Sequence, residues 1–471
     1  MRSCFSNSVF LVFALALTTP LSVAQQSRKN ISVPTSSRSS ENDELVKAVD
    51  SIAEKALSRP ITGLSIGIMK EGRIVLSRGY GFSELEKKLA ATEQTRYQIG
   101  SITKQFTAAA IMRLAEQKKL RLDDSITKYL PEFPTQGHNV TIRHLLNHTS
   151  GIKSYSDYFH VLDPPVTTTS VSPEQILASI KDKPFDFKPG EQFAYNNSGY
   201  FLLGLIIERD SGESYAKYLA EQFFTPLKMT STSFCGVAPN TAIPRGYSSK
   251  GFELIKAPVA TMSVSFAAGA LCSTVGDLLV WQQALANGKA LSPASLQQMT
   301  ALTKLASGEF LEYGFGLWVS KYQGHRAIWH AGGISGFNSQ MAHYPDERLT
   351  IVVLTNTFPA GAEEIERGIA RKVFGIPERE VKDLPITPTE WAKYLGIYDL
   401  GQFKIRVFEE NKILKAQVVG EDSFRLMYQG GHSFAAEASS DIRLTFTIEN
   451  SVATKLTLDL RGTMISGKKT P

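Results

Sequence analysis

Cysteine is scarce in this chain: three residues in 471. Two of them, Cys235 and Cys272, lie beyond the first 24 residues. Two are too few for a disulfide scaffold, and their spacing matches no metal site. Whether they pair is not legible. Beyond the N-terminus, no apolar run approaches the roughly 18 residues needed to cross a bilayer. No block of Lys and Arg and no aromatic-interleaved basic stripe is present, so the net charge of +6 describes a solvated surface rather than a nucleic-acid partner. A His-Glu-x-x-His pattern is also missing. His144 and His148 stand four apart, but no acidic third ligand follows at a useful spacing, so His144–Ile152 reads as a structural turn closed by Gly151. These absences argue against metal, cofactor and nucleic-acid functions.

What remains is an ordinary globular composition, 42% hydrophobic and 20% charged, long enough for more than one domain. Residues 1–24 carry Arg2, an apolar run from Val9 to Leu17, and Ser22-Val23-Ala24. That is the pattern of a secretory signal peptide and predicts an exported protein, periplasmic or secreted. Residues 25–44 are rich in Ser, Asn and Arg and read as a flexible lead-in. From Leu45 to Ala56 apolar residues recur at helical spacing, and Leu64–Ile68 and Ile74–Leu76 then flank a turn at Lys70-Glu71-Gly72-Arg73. A helix followed by a hairpin implies helices packed on an antiparallel sheet.

Tyr97 to Phe106 carries the first chemical signal. After Gly100 the sequence turns helical, placing Ser101 at the helix start and Lys104 one turn later on the same face. A lysine whose pKa is lowered by burial can take the serine proton, which makes a nucleophile. The four letters Ser-Ile-Thr-Lys recur at Ser125–Lys128, but that copy runs into Pro131 and reads as a short surface turn.

Three later stretches add to this. In Tyr195-Asn196-Asn197, two side chains at the entry to a helix could share a cleft, the tyrosine carrying protons and Asn197 holding a substrate carbonyl; a packed tyrosine at a capped helix start is the plainer alternative. His330-Ala331-Gly332-Gly333 has small residues that would let a substrate lie along a strand edge. In Ala267–Asp277, Thr274 and Asp277 have capping-box spacing, which reads as architecture. After the proline-rich linker 379–388, alternating runs such as Ile442-Leu444-Phe446-Ile448 predict a small antiparallel meander or barrel over 389–471.

Together, Ser101-x-x-Lys104, Tyr195-x-Asn197 and His330-x-Gly332 resemble the penicillin-recognising serine hydrolases, in the branch that holds class C β-lactamases, D-alanyl-D-alanine carboxypeptidases and related esterases. The resemblance covers roughly residues 45–375. It implies an α/β (α+β) fold of two lobes over residues 45–378, an antiparallel sheet flanked by helices beside an all-α region. The tail from Tyr394 is similar to the lipocalin-like module some members carry.

It also implies roles: Ser101 as nucleophile, Lys104 and Tyr195 as proton carriers, and Asn197, His330, Gly332 and Gly333 as substrate-binding residues. The backbone amides of Ser101 and Gly333 would form an oxyanion hole. No metal or cofactor is implied. The expected activity is acyl-enzyme hydrolysis of D-amino-acid peptides, of esters or amides, or of β-lactams, with cell-wall fragments among the possible substrates. The alternative is a non-catalytic penicillin-binding-like sensor or scaffold. Oligomeric state is not legible. His330 stands where β-lactamases have lysine. With an ordinary pKa of about 6.5, it would make a carboxylate anchor that fades as pH rises through neutrality.

Overall fold

The computed structural model describes residues 35–157, 171–235, 243–250, 253–401, 403–419, 423–437, 439–460 and 463–470. The signal-like residues 1–24, residues 25–34 of the expected lead-in and residues 158–170 lie outside the described residues. Two compact units divide the chain, Met1–Asn42 and Asp43–Pro471. The described part of the first belongs to a helix running Thr35–Leu57. It starts within the stretch expected to be a flexible lead-in. Once the packed segment has nucleated, each further residue joins a helix at little cost, so polar composition alone does not stop it.

In the second unit, that helix buries Val49, Ala53 and Ala56 at helical spacing. Its partner is a seven-stranded antiparallel sheet in the order Trp318–Tyr322, His325–Ile334, Phe337–Tyr344, Leu349–Thr355, Gly63–Lys70, Arg73–Glu84 and Leu89–Ala90. The early strand Gly63–Lys70 pairs with the late strand Leu349–Thr355, Ile66 opposite Val353. The hydrolase-like region is thereby closed on itself. Strand residues alternate between two cores: Ile66, Ile68, Ile351 and Val353 meet helices Thr35–Leu57 and Ala362–Val373, while Met69, Val352 and Leu354 meet Leu278, Trp281 and Phe106 on the other face. Both faces are covered, which is why these strands read as nearly continuous apolar runs.

The helical lobe comprises Thr103–Glu116, Ile142–Leu146, Pro173–Ile180, Asn197–Ser211 and Tyr215–Leu219, all contributing to the core around Phe106. Helix Val275–Ala286 is capped by the Thr274 side chain, which accepts from Asp277 N at 3.2 Å. The reciprocal half of the expected capping box does not form. The Asp277 carboxylate instead accepts from Ser231 N and Thr232 Oγ1, both at 2.8 Å, because a long-range partner outcompetes the local one.

Residues Gly396–Lys469 form a closed eight-stranded antiparallel barrel with neighbours in sequence order, sealed where Tyr398 pairs with Lys469. Tyr394, Tyr398, Phe434, Leu444, Phe446 and Leu456 pack its interior. It is tied to the rest by Asp441, which accepts from Arg371 at 2.5 Å and from Tyr322 at 3.1 Å within a buried contact. Among the described residues, no helix is long and apolar enough to cross a membrane. Cys235 and Cys272 form a disulfide.

Candidate active site

Ser101 sits in a single 3₁₀ turn, Gly100–Ile102, that feeds directly into the helix beginning at Thr103. The turn depends on Gly100, whose φ is +50°; a Cβ there would stand 2.9 Å from Gly333 N. Only glycine lets the nucleophile turn approach the strand this closely. Gly332 is equally constrained, since a Cβ would lie 2.1 Å from Ile99 O. Along the strand His325–Ile334, the strand Trp318–Tyr322 pairs with His325–Trp329. From His330 to Ile334 the ladder continues on one side, against Phe337–Met341. The expected strand edge is therefore beside the glycines.

Lys104 is completely buried. Its Nζ has three polar neighbours: Ser101 Oγ at 3.0 Å, Asn197 Oδ1 at 2.8 Å and Ala268 O at 2.9 Å. Two of them, the amide oxygen and the carbonyl, can only accept. Burial drives the lysine pKa well below 10.5, and among the described residues no carboxylate opposes the shift. A neutral amine has two N–H bonds and one lone pair. The N–H groups satisfy Asn197 and Ala268, and the lone pair faces the one neighbour that has a proton to give, Ser101.

Asn197 opens the helix Asn197–Ser211, and its Nδ2 donates to Ser156 Oγ at 2.7 Å, which fixes the oxygen toward Lys104. Asn196 is the cap: its Oδ1 accepts from Gly199 N at 2.9 Å and its Nδ2 donates to Ile152 O at 2.5 Å. Tyr195 is 38% exposed as a residue, but protein crowds its hydroxyl end. That desolvation raises its pKa, partly offset by a hydrogen bond with the Ser101 side chain, so the phenol stays protonated. Lys104 Nζ lies 4.8 Å from the centre of its ring.

The Ala267–Asp277 stretch, read as architecture, also belongs to the site. Helix Met262–Gly269 is broken at Phe266, which adopts φ 35°, ψ −129°. Beyond the break, Ala267 O accepts from Thr107 Oγ1 at 2.6 Å and Ala268 O from Lys104. A bulky residue at positive φ is strained. It is held by rings at Phe201 and Tyr215, with centroids 5.3 and 5.2 Å away.

His330 departs from expectation. It is 3% exposed, deeper than an anchor on the cleft wall would sit. Its Nδ1–H donates to Ala331 O at 2.6 Å, leaving Nε2 to accept from the Tyr313 hydroxyl at 3.2 Å. Tyr313 in turn accepts from His148 Nε2–H at 3.1 Å, and His148 Nδ1 accepts from Asn196 N–H at 3.1 Å. The chain begins and ends on backbone groups, so both imidazoles are satisfied in the neutral form. Burial is the first cause that lowers His330, to about 3, and burial likewise pushes His148 well below 6.5.

His148 and Tyr313 were not foreseen as site residues. His148 lies in the segment read as a structural turn, and its ring packs 4.4 Å from that of Tyr195. The other Ser-Ile-Thr-Lys is elsewhere: Ser125 caps the turn Ile126–Lys128, and Lys128 pairs with Asp124 at 2.8 Å.

A cavity of about 30 Å³ is lined by Gly100, Ser101, Asn197, Gly269 and Gly333 among others. A larger one, about 1050 Å³, lies around Gln283, Leu296 and Arg326 and includes neither Ser101 nor Lys104. The chemistry belongs to the smaller. Among the described residues, no group of three or more His, Cys, Asp or Glu is placed to hold a metal.

The Beta-lactamase family model matches residues 45–374. Penicillin-binding protein 4* of Bacillus subtilis strain 168 is 30% identical over 411 residues, covering 81% of this chain and 89% of that protein. Among solved structures, the octameric penicillin-binding protein homologue from Pyrococcus abyssi is 28% identical with a TM-score of 0.66, covering 90% of this chain and 99% of that one. A D-stereospecific amidohydrolase from a Streptomyces species is 27% identical with a TM-score of 0.60, covering 70% and 99%.

Proposed function

Because this chain belongs to the beta-lactamase family, we propose that it is an exported serine hydrolase that cleaves peptides or amides, those of D-amino acids included, through an acyl-enzyme on Ser101. The observation that carries this is the Lys104 amine, buried, pushed well below its ordinary pKa by that burial, and held by two obligate acceptors 3.0 Å from the Ser101 hydroxyl.

Lys104 takes the Ser101 proton as Oγ attacks the substrate carbonyl. The backbone amides of Ser101 and Gly333, which line one cavity, receive the developing oxyanion; such a donor is typically worth about 3 kcal/mol. The ammonium formed on Lys104 is disfavoured by burial and returns its proton. Tyr195, protonated and bonded to Ser101, passes a proton to the leaving nitrogen and is itself replenished from Lys104. Water then repeats the attack on the acyl group with the same residues in reverse roles.

The Streptomyces relative is a D-stereospecific amidohydrolase by name, which supports D-amino-acid amides as the substrate class. The neutral His330 offers a carboxylate no charge, which argues against efficient turnover of substrates that depend on one, β-lactams among them. A scaffold without activity would have no use for an uncharged lysine held against a serine. Export is supported by the signal-like N-terminus and by the Cys235–Cys272 disulfide, a bond that persists in oxidising compartments.

The test is to label the protein with a fluorophosphonate, map the modified peptide, and compare D- and L-alanine p-nitroanilide as substrates. Label on Ser101 with faster D-amide turnover is the expected result. A folded protein that takes no label and cleaves neither amide would refute the proposal.

A further inference from the structure

Tyr195 stands between two backbone amides that one residue answers. Ala194 N donates to His148 O at 3.0 Å and Asn196 N to His148 Nδ1 at 3.1 Å, while the His148 ring packs 4.4 Å from the Tyr195 ring. His148 therefore fixes where Tyr195 sits. What fixes the His148 ring is Tyr313: Nε2–H donates to the Tyr313 hydroxyl at 3.1 Å, and that hydroxyl donates onward to His330 Nε2 at 3.2 Å. His330 ends the chain on Ala331 O at 2.6 Å, two residues before Gly333.

The direction of this chain is forced. Asn196 N–H can only donate and Ala331 O can only accept, so the neutral His148 carries its proton on Nε2, the neutral His330 on Nδ1, and the phenol proton points to His330. A phenol accepts and donates through one atom, which lets Tyr313 join two imidazoles of opposite tautomer. Its own placement is firm. Tyr313 is fully buried, its ring lies 4.8 Å from that of His148 and 4.9 Å from that of Trp318, and its carbonyl accepts from Thr303 N at 3.1 Å and Thr303 Oγ1 at 2.6 Å. Three residues on, Gly316 approaches the nucleophile helix so closely that a Cβ would stand 2.7 Å from Lys104 O. One segment thus meets the backbone of the base and the support of the proton donor.

We propose that Tyr313 is a positioning residue for the hydrolysis: through His148 it holds the Tyr195 phenol where it can protonate the leaving group, and through His330 it ties that side of the site to the strand carrying Gly333. The proposal rests on the serine-hydrolase reading and adds to it a residue that acts through Tyr195 rather than on the substrate. A tyrosine that merely filled the core would, when altered, cost folded protein without regard to which bond is being broken.

The test compares N-acetyl-D-alanine p-nitroanilide with N-acetyl-D-alanine p-nitrophenyl ester. The acyl group is the same, but the anilide nitrogen must be protonated to leave, whereas p-nitrophenolate departs as the anion. With rates expressed per site titrated by fluorophosphonate, Tyr313→Phe should lower kcat/KM for the anilide by about ten- to a hundredfold, the cost of misplacing a catalytic group by about 1 Å, and for the ester by less than about threefold. Lost folded sites cannot produce that split, because they are divided out. In a Tyr195→Phe background, Tyr313→Phe should change the anilide rate by less than about twofold, since the group it positions is already gone.

An unchanged anilide rate, equal losses on anilide and ester, or a full loss of the anilide rate in the Tyr195→Phe background overturns the positioning role while leaving the hydrolase intact. If the wild type cleaves neither substrate and takes no label, the hydrolase reading fails and the positioning role falls with it. Should Tyr313→Phe not fold, nitrogen NMR of the wild-type histidines decides, with His330→Asn protein used for assignment. His148 protonated on Nε2 and His330 on Nδ1 sustains the chain, and any other pair of tautomers removes it.

Discussion

Ser101-Ile102-Thr103-Lys104 and Ser125-Ile126-Thr127-Lys128 are the same tetrapeptide in two places, and the fold makes a different object of each. Both isoleucines are fully buried, so both copies are anchored alike. The lysines diverge. Lys104 is buried among uncharged acceptors and its pKa falls; the Lys128 side chain is 56% exposed, and its hydrogen bond to Asp124 raises its pKa. The serines follow. Ser101 faces a lone pair, whereas Ser125 accepts from Thr127 N at 3.4 Å as an ordinary cap. Motif letters supply the functional groups, and the neighbours decide whether a lysine is a base or a counter-ion.

Removing the lysines should break the pair most visibly. Lys104→Met should lower acylation by a fluorophosphonate or a D-alanine amide by about 10²- to 10⁴-fold, the span of general acid–base help. Lys128→Met removes only an exposed ion pair with Asp124, away from Ser101, so acylation should stay near the wild-type rate. Stopped-flow labelling of the two variants checks this. Comparable losses in both would mean that the environments do not differ as described.

A smaller effect, in fact none, is expected where a titrating histidine would give a large one. His330 is held neutral down to about pH 3, so the ratio of kcat/KM for a carboxylate-bearing substrate to that for its methyl ester should stay flat between about pH 5.5 and 8. A ratio that falls across that window would mean that His330 gains a proton near neutrality, which its bonds to Ala331 O and Tyr313 do not permit as drawn.

Part of this was legible. Ser101 and Lys104 were identifiable from the helix start after Gly100, Tyr195 and Asn197 only through the family resemblance, and Lys104 meets the other three. The contrast between the two tetrapeptides was also readable, since the second copy runs into Pro131 while the first follows Gly100 into a helix. The barrel followed from periodicity, and the helix-flanked sheet from the family resemblance. Three features were not legible. The protonation of His330 depends on Tyr313 and His148, partners distant in sequence whose meeting no local pattern announces. Ala268 reaches Lys104 only because the helix breaks at Phe266, and an aromatic residue is among the last expected at positive φ. The start of the first helix at Thr35 lies in a polar run with no apolar period to mark it.

The central claim is that burial leaves Lys104 an uncharged base at physiological pH, and the pH dependence of Ser101 labelling tests it most directly. The neutral amine is the active form, so protonation as pH falls through the depressed pKa should switch labelling off, with a plateau above it. The fluorophosphonate second-order rate constant for Ser101, followed by mass spectrometry of its peptide, should reach its plateau well below the ordinary lysine pKa and decline only on the acid side of that plateau. A rate that keeps climbing toward the ordinary lysine pKa of about 10.4 would show a charged Lys104 and contradict the account.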